Sequence, residues 1–278
     1  TTECGTLTAT IRYAEHAAAF AGRENPLEVR VSNSGPEPLD LHLQLRLPAG
    51  WQQAGPPAAF RLEPGAELAR RYRLTMAAAA LYDTNEVRVD IAAERRPALP
   101  SLPAIFLGGF RWLHSPPVPG TLRTPSDFDA SSRLTRITEG WSERWLPGND
   151  LEPEALFQGA PGTIYLAHFI HSDVAQEVIL GVSNTQRMQL WLNGRLEHET
   201  GSITGLRPNQ GNGGGDGSNY KECCLQPGFN HVLIRLERGG QPLQAHFTLG
   251  RPDRVHRKCL GHAVLGLRRS VLPWEAAS

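Results

Sequence analysis

The chain has little sulfur, no surplus charge and no long apolar run. Its 278 residues include four cysteines, Cys4, Cys223, Cys224 and Cys259. That is sparse for a disulfide scaffold, and no C-x-x-C pair offers zinc-ligand spacing. Lys and Arg number 28, as do Asp and Glu, so the formal net charge is zero. A nucleic-acid or anionic-membrane binder carries a basic surplus, so neither partner is expected. The longest apolar stretch is Met76-Ala77-Ala78-Ala79-Ala80-Leu81. A membrane helix needs roughly 18 or more such residues, and none is expected. The phosphate-cradling G-x-x-x-x-G-K-[ST] loop and the G-x-S-x-G elbow are absent. The ten histidines include no H-x-x-x-H pair. No cofactor and no metal ion are expected. The chain begins at Thr1, with no charged n-region before an apolar h-region. It is therefore read as a processed product or an excised piece.

Glycine and proline are abundant instead, 28 and 22 residues. Together they make up about 18% of the chain against ~12% on average. Such an excess means many turns, hence short strands rather than long helices. Hydrophobic residues make up 40% of the chain, enough for a packed core. At ~100–200 residues per domain, the length suggests two domains.

The first third alternates apolar and polar residues in short segments bounded by turns. Leu7–Tyr13, Leu27–Asn33 and Leu39–Leu47 read as strands, with two more at 69–76 and 86–92. Asn33-Ser34-Gly35-Pro36 and Glu63-Pro64-Gly65-Ala66 supply turns. This spacing predicts a β-sandwich of about 95 residues. Gly22, the strand ending in Asn33 and the run Leu45-x-Leu47-Pro48-x-Gly50-Trp51 resemble the NEW3-type, immunoglobulin-like domain. The resemblance covers roughly 5–95 and implies a module that accompanies carbohydrate-active enzymes. Trp51 is expected to plug one end of the sandwich; a sugar-stacking platform is the alternative.

A proline-dense stretch follows, with Pro97, Pro100 and Pro103. Proline at this density blocks regular ladders, so 96–104 reads as a linker after a first domain at 1–95. Ile105–Phe110 then reads as the entry strand of a second domain at 105–255, with 256–278 as a C-terminal extension. A solvated end is the default for that extension; a last strand at Val264–Leu267, docking on another domain, and a basic tail on a partner surface are the alternatives. Thr163–Ile170 and Gln176–Ser183 are strongly β-prone. Met188–Leu192 meets Asn193-Gly194, a hairpin signal, because a type I′ turn needs φ > 0 at both positions. Leu225-x-Pro227-Gly228-x-Asn230 precedes Val232–Leu236, and a strand with Phe247 closes the series. This order resembles the galactose-binding-like jelly roll found as an accessory domain of glycoside hydrolases. The overall expectation is an all-β chain of two sandwiches, immunoglobulin-like and then jelly roll. Asn193 and Asn230 are expected to be structural, since Asn tolerates positive φ and caps turns.

The most unusual segment is the loop 201–222, rich in glycine and longer than ordinary connections. Arg207, Asn209, Asp216, Asn219 and Tyr220 are the ligand-binding candidates there. Planar polar groups bond vicinal hydroxyls, and an aromatic face takes a sugar ring. A loop without ligand is the competing expectation. Calcium is disfavoured, because Asp216 is the one acid in 201–220. Asp150, Glu152 and Glu154 could supply a glycosidase carboxylate pair. The expectation is that they line a loop and cap a short helix carrying Leu156 and Phe157. His168, His231 and His246 are expected to pack on strands. Trp141 and Trp145 are expected to seal the sandwich, with a binding platform as the alternative. The cysteines are expected to be free thiols; a disulfide from Cys223 or Cys224 to Cys259 is the alternative.

The resulting expectation is a non-catalytic accessory region of a larger sugar- or glycoside-acting hydrolase. Its partners would be a carbohydrate and the catalytic domain of the parent chain. A free-standing hydrolase would instead show two close acids, one with a raised pKa, in an interdomain cleft. An adhesion module would show a large exposed apolar patch.

Overall fold

The computed structural model describes residues 2–55, 58–94, 99–118, 140–200, 220–253, 258–260 and 265–275. The chain divides into two compact units, Thr1–Gly108 and Gly109–Ser278. Among the described residues it is almost entirely strand, as expected.

The first unit is built from β1 (Thr2–Cys4), β2 (Leu7–Tyr13), β3 (Ala18–Ala19), β4 (Asn25–Asn33), β5 (Leu39–Arg46), β6 (Trp51–Ala54), β7 (Ala58–Leu62), β8 (Glu67–Met76), β9 (Thr84–Ala93) and β10 (Leu102–Gly108). One sheet has the order β1-β2-β4-β8-β6 and the other β3-β10-β9-β5-β7. Strand alternation decides which residues meet between them. In β5, Leu39, Leu41, Leu43 and Leu45 are buried, while Asp40, His42, Gln44 and Arg46 are exposed. Leu27, Val29 and Val31 of β4 share one core with the β5 leucines and with Val87, Val89 and Ile91 of β9. Trp51 joins this core, its ring 5.4 Å from Phe106. It packs, as expected of a plug.

Two buried asparagines hold the turns. Asn33 Nδ2 donates to the carbonyls of Glu37 at 2.8 Å and Leu62 at 3.3 Å, and its Oδ1 accepts from Gly35 N at 3.0 Å. Asn25 Oδ1 accepts from Phe20 N at 3.0 Å, and its Nδ2 donates to Arg23 O at 2.8 Å. Each side chain satisfies backbone groups that no ladder reaches.

The domain division differs from the sequence expectation. β10 pairs along its length with β9, and Leu99, Leu102, Ala104 and Phe106 belong to the first core. The segment read as linker and entry strand thus completes the first sandwich. Proline does not prevent this. β3 pairs with β10 at Leu107 and Gly108 alone, so β10 is an edge at Pro103. A missing N–H is tolerated at an edge. The strand ends where Gly108 presses against Tyr82; a Cβ there would lie 2.7 Å from the Tyr82 carbonyl oxygen.

The second unit contains β11 (Phe110–His114), β12 (Ser142–Leu146), α1 (Pro153–Phe157), β13 (Gly162–Ser172), β14 (Gln176–Asn184), β15 (Met188–Leu192), β16 (Arg195–Thr200), β17 (Tyr220–Leu225), β18 (Gly228–Arg238), β19 (Ala245–Asp253), β20 (Lys258–Leu260) and β21 (Leu267–Arg268). A large sheet runs β12-β11-β13-β18-β15-β16, with β21 also on β13, and a smaller one runs β17-β14-β19-β20. The core between them takes Ile164, Leu166 and Ile170 of β13, Val178, Leu180 and Val182 of β14, and Phe247 of β19. The alternate residues of β13, Tyr165, Ala167 and Phe169, lie in a second cluster with Leu113, Trp191, Leu233 and Leu272. β13 is thus covered on both faces, which is why its sequence is a continuous apolar run rather than an alternating one.

Leu272 and Trp274 supply the outer cover while Leu265 and Leu267 pack on the inner core, so this part of the expected extension is no solvated tail. Leu267 and Leu272 are buried, and Trp274 meets Phe169 edge-on at 5.6 Å. β21 pairs with His171 and Ser172. Arg111, itself buried, holds Glu275 at 2.6 Å and Glu143 at 3.2 Å. Losing the Arg111 guanidinium should release this cover. Arg111→Ala is expected to speed proteolytic cleavage within 265–275 at least tenfold. Asn33→Ala should leave that cleavage unchanged. It should instead lower the unfolding free energy of the first unit by about 1–3 kcal/mol in urea titrations, because buried carbonyls lose their donor.

Candidate functional site

Of the loop candidates, Arg207, Asn209, Asp216 and Asn219 lie outside the described residues. Tyr220 is described as the first residue of β17, without its side chain. The framework on either side is defined. β16 is the outermost strand of the large sheet and β17 the outermost strand of the small one. Thr200 and Tyr220, at the ends of these two strands, are the described residues that flank the loop. Thr200, the last residue of β16, is anchored: Asn184 Nδ2 donates to its Oγ1 at 3.3 Å.

The same unit carries an interlock of two asparagines. Asn193 and Gly194 have φ of 49° and 80°, the backbone of a type I′ hairpin. Asn193 Oδ1 accepts from His231 N at 2.8 Å, and Asn193 Nδ2 donates to Asn230 Oδ1 at 3.0 Å. Asn230 Oδ1 also accepts from Gln226 N at 2.8 Å, while its Nδ2 donates to Gln226 O at 2.7 Å. Both side chains are consumed by turn architecture, as the sequence suggested.

The acids are also engaged. Asp150 Oδ1 accepts from Glu152 N at 2.8 Å just before α1. Glu152 pairs with Arg144. Glu154 accepts from Arg238 Nε at 2.8 Å and Leu243 N at 2.6 Å, and these bonds, that of Arg238 foremost, hold its pKa below the usual carboxylate range. Glu28 and Asp90 of the first unit are lowered as well, mainly by Arg30 and Arg46. A glycosidase general acid needs the opposite shift. Glu28, Asp90 and Glu154 are shifted the other way, and among the described residues no group of three His, Cys, Asp or Glu could hold a metal ion.

Trp145 lies on strand β12 rather than on a helix, with the Arg111 guanidinium 4.7 Å above its ring. Trp141 packs at the outer cluster, 6.4 Å from Tyr165. Trp141 thus packs against the sandwich, while Trp145 is half-buried on the edge strand β12. Cys223 and Cys224 are free thiols, the first buried and the second exposed, as neighbours on a strand should be. The exposed large apolar residues, Ile105, Leu107, Val174, Leu196 and Trp274, belong to different elements apart from the two on β10.

His168 and His231 pack on strands, as expected, both buried. His168 stacks on Trp112 at 4.6 Å, and its Nδ1 bonds Arg111 O at 2.9 Å, leaving Nε2 with no partner. His231 lies 5.2 Å from Phe169, its Nε2 likewise unpartnered. Burial pushes both down to about 3, so both are neutral rings in apolar surroundings.

The chain is thus a pair of all-β sandwiches, the first immunoglobulin-like. Residues 19–93 match the family described as "NPCBM-associated, NEW3 domain of alpha-galactosidase". The first unit therefore contains a NEW3-type segment, running from β3 to β9, with β2 and β10 completing its sheets. No functionally curated protein matches the chain. Among solved structures, a FixG-related protein from Vibrio parahaemolyticus is similar over 38% of this chain and 98% of its own, at 14% identity and TM-score 0.33. The GH31 alpha-xylosidase from Xanthomonas citri is similar over 92% of this chain and 26% of its own, at 10% identity and TM-score 0.30. The alfa-L-rhamnosidase from Aspergillus terreus is similar over 90% and 28%, at 13% identity and TM-score 0.25. Likenesses this distant carry no functional weight.

The neutral buried histidines make a pH prediction. Unfolded His takes up its proton near pH 6.5 and these two, folded, near 3. Between those values the unfolded chain holds more protons, so stability is lost as pH falls from about 6.5 to about 3. Each ring contributes a slope of about 1.4 kcal/mol per pH unit. Urea titrations across this window are expected to show that slope, and His168→Phe should remove one ring's share.

Proposed function

We propose that the chain is a non-catalytic accessory region of a larger sugar- or glycoside-acting hydrolase. In this reading its two sandwiches bind carbohydrate or position the catalytic domain of the parent chain. The observation that carries it is the match of residues 19–93 to a domain described as belonging to alpha-galactosidase. The second unit is read as a galactose-binding-like jelly roll. Its two facing antiparallel sheets and the interlocked Asn193 and Asn230 turns support that reading. The ligand site is placed on the loop between β16 and β17, through Arg207, Asn209, Asp216, Asn219 and Tyr220. A sugar there would be held by hydrogen bonds and ring stacking rather than by charge, in keeping with the zero net charge.

A glycan array followed by calorimetry on the full chain tests this. At least one neutral glycan is expected to bind. The combined variant Arg207→Ala, Asn209→Ala, Asn219→Ala should weaken it at least tenfold with an unchanged melting temperature. Binding that survives this variant would sink the loop assignment. An array with no bound glycan would leave positioning of the catalytic domain as the role, read as loss of stability when the parent enzyme is truncated.

A further inference from the structure

The outward face of the first unit's β1-β2-β4-β8-β6 sheet holds a polar hollow outside the loop considered above. Register sets three rows across β2, β4 and β8. Thr8 lies beside Ser32 and Ser32 beside Glu67; Thr10 beside Arg30 and Arg30 beside Ala69; Arg12 beside Glu28 and Glu28 beside Arg71. Short side chains alternate with long ones, and the difference in reach leaves a depression. It measures about 130 Å³ and is lined by Thr8, Thr10, Arg12, Arg30, Ser32 and Glu67. That is roughly four times a water's share of liquid volume, room for one small ring rather than a polymer.

Its charges do not balance. Glu28 spends both carboxylate oxygens on neighbours: Oε1 accepts from Arg30 Nε at 2.6 Å and Oε2 from Arg71 Nε at 3.0 Å. Arg30 also reaches Glu67 at 3.4 Å. Arg12 sits directly opposite Glu28, whose carboxylate bonds Arg30 and Arg71 instead. Among the described residues Arg12 has neither an ion pair nor a hydrogen-bond partner. Across these rows on β2, β4 and β8 three arginines face two glutamates, and Arg12 stands at the rim of the hollow. A simple anion would engage Arg12 but not the hydroxyls of Thr8 and Ser32. A neutral sugar would leave Arg12 unpaired. A ligand with a carboxylate at one end and hydroxyl donors at the other satisfies both.

We propose that this hollow binds one acidic sugar residue, a uronate, with its carboxylate on Arg12 and its ring hydroxyls on Thr8, Ser32 and Glu67. The site lies wholly in the first unit and does not depend on the loop of the second. Titration of the full chain with galacturonate, galactose and acetate, followed by calorimetry or amide NMR shifts, tests it. Galacturonate is expected to bind, with galactose and acetate each at least tenfold weaker. Arg12→Gln should weaken galacturonate at least tenfold. Ser32→Ala should weaken galacturonate without changing acetate. Both variants should melt as the parent chain does, and the triple loop variant should bind galacturonate unchanged. Equal binding of galactose, equal binding of acetate, no binding of galacturonate, or an indifferent Arg12→Gln would each overturn the proposal. The loop reading would survive any of these, since it is read on a neutral glycan.

Discussion

A strand buried on both faces governs the second unit. β13 sends Ile164, Leu166 and Ile170 into the inner core, and Tyr165, Ala167 and Phe169 outward. Water on either side would face a row of apolar side chains, at ~25 cal/mol for each Å² left uncovered. The inner face is met by β14 and β19. The outer face needs a separate cover, and the chain supplies it after β20, with Leu272 and Trp274. The buried Arg111 holds that cover to β11 through Glu275. A lone buried guanidinium would be costly, but two carboxylates meet it and the Trp145 ring lies beneath it. The polar tie and the apolar cover therefore need each other.

Much of this was legible, and the reasons are local. Strict alternation in Leu39–Arg46 means one wet face and one dry face, and the structure has that. Asn193-Gly194 fixes a hairpin because few residues accept positive φ twice in succession. The two asparagines of the second unit read as turn devices and are. Pro97, Pro100 and Pro103 misled, because proline density outweighed the alternation of Leu102, Ala104 and Phe106 beneath it. An edge strand accepts proline where an inner strand does not.

The cover on β13 also had a signal. Thr163–Ile170 is apolar at odd and even positions alike, so both faces needed partners. Val271, Leu272 and Trp274 were apolar residues still without a place. Their charged neighbours made the segment resemble a solvated end. The polar hollow of the first unit had no such signal. Thr8, Arg12, Arg30 and Ser32 come together through register between β2 and β4, and Glu67 through that between β4 and β8. Nothing in a single strand's pattern announces which outward side chains will stand side by side.

The edge of β13 that receives β11 also receives β21, a few residues further along. Phe110 and Glu275 therefore belong to neighbouring points of one rim, although 164 positions separate Arg111 from Glu275 along the chain. The Arg111–Glu275 pair thus closes the unit like a clasp, joining at one edge of β13 two segments that the sequence keeps far apart.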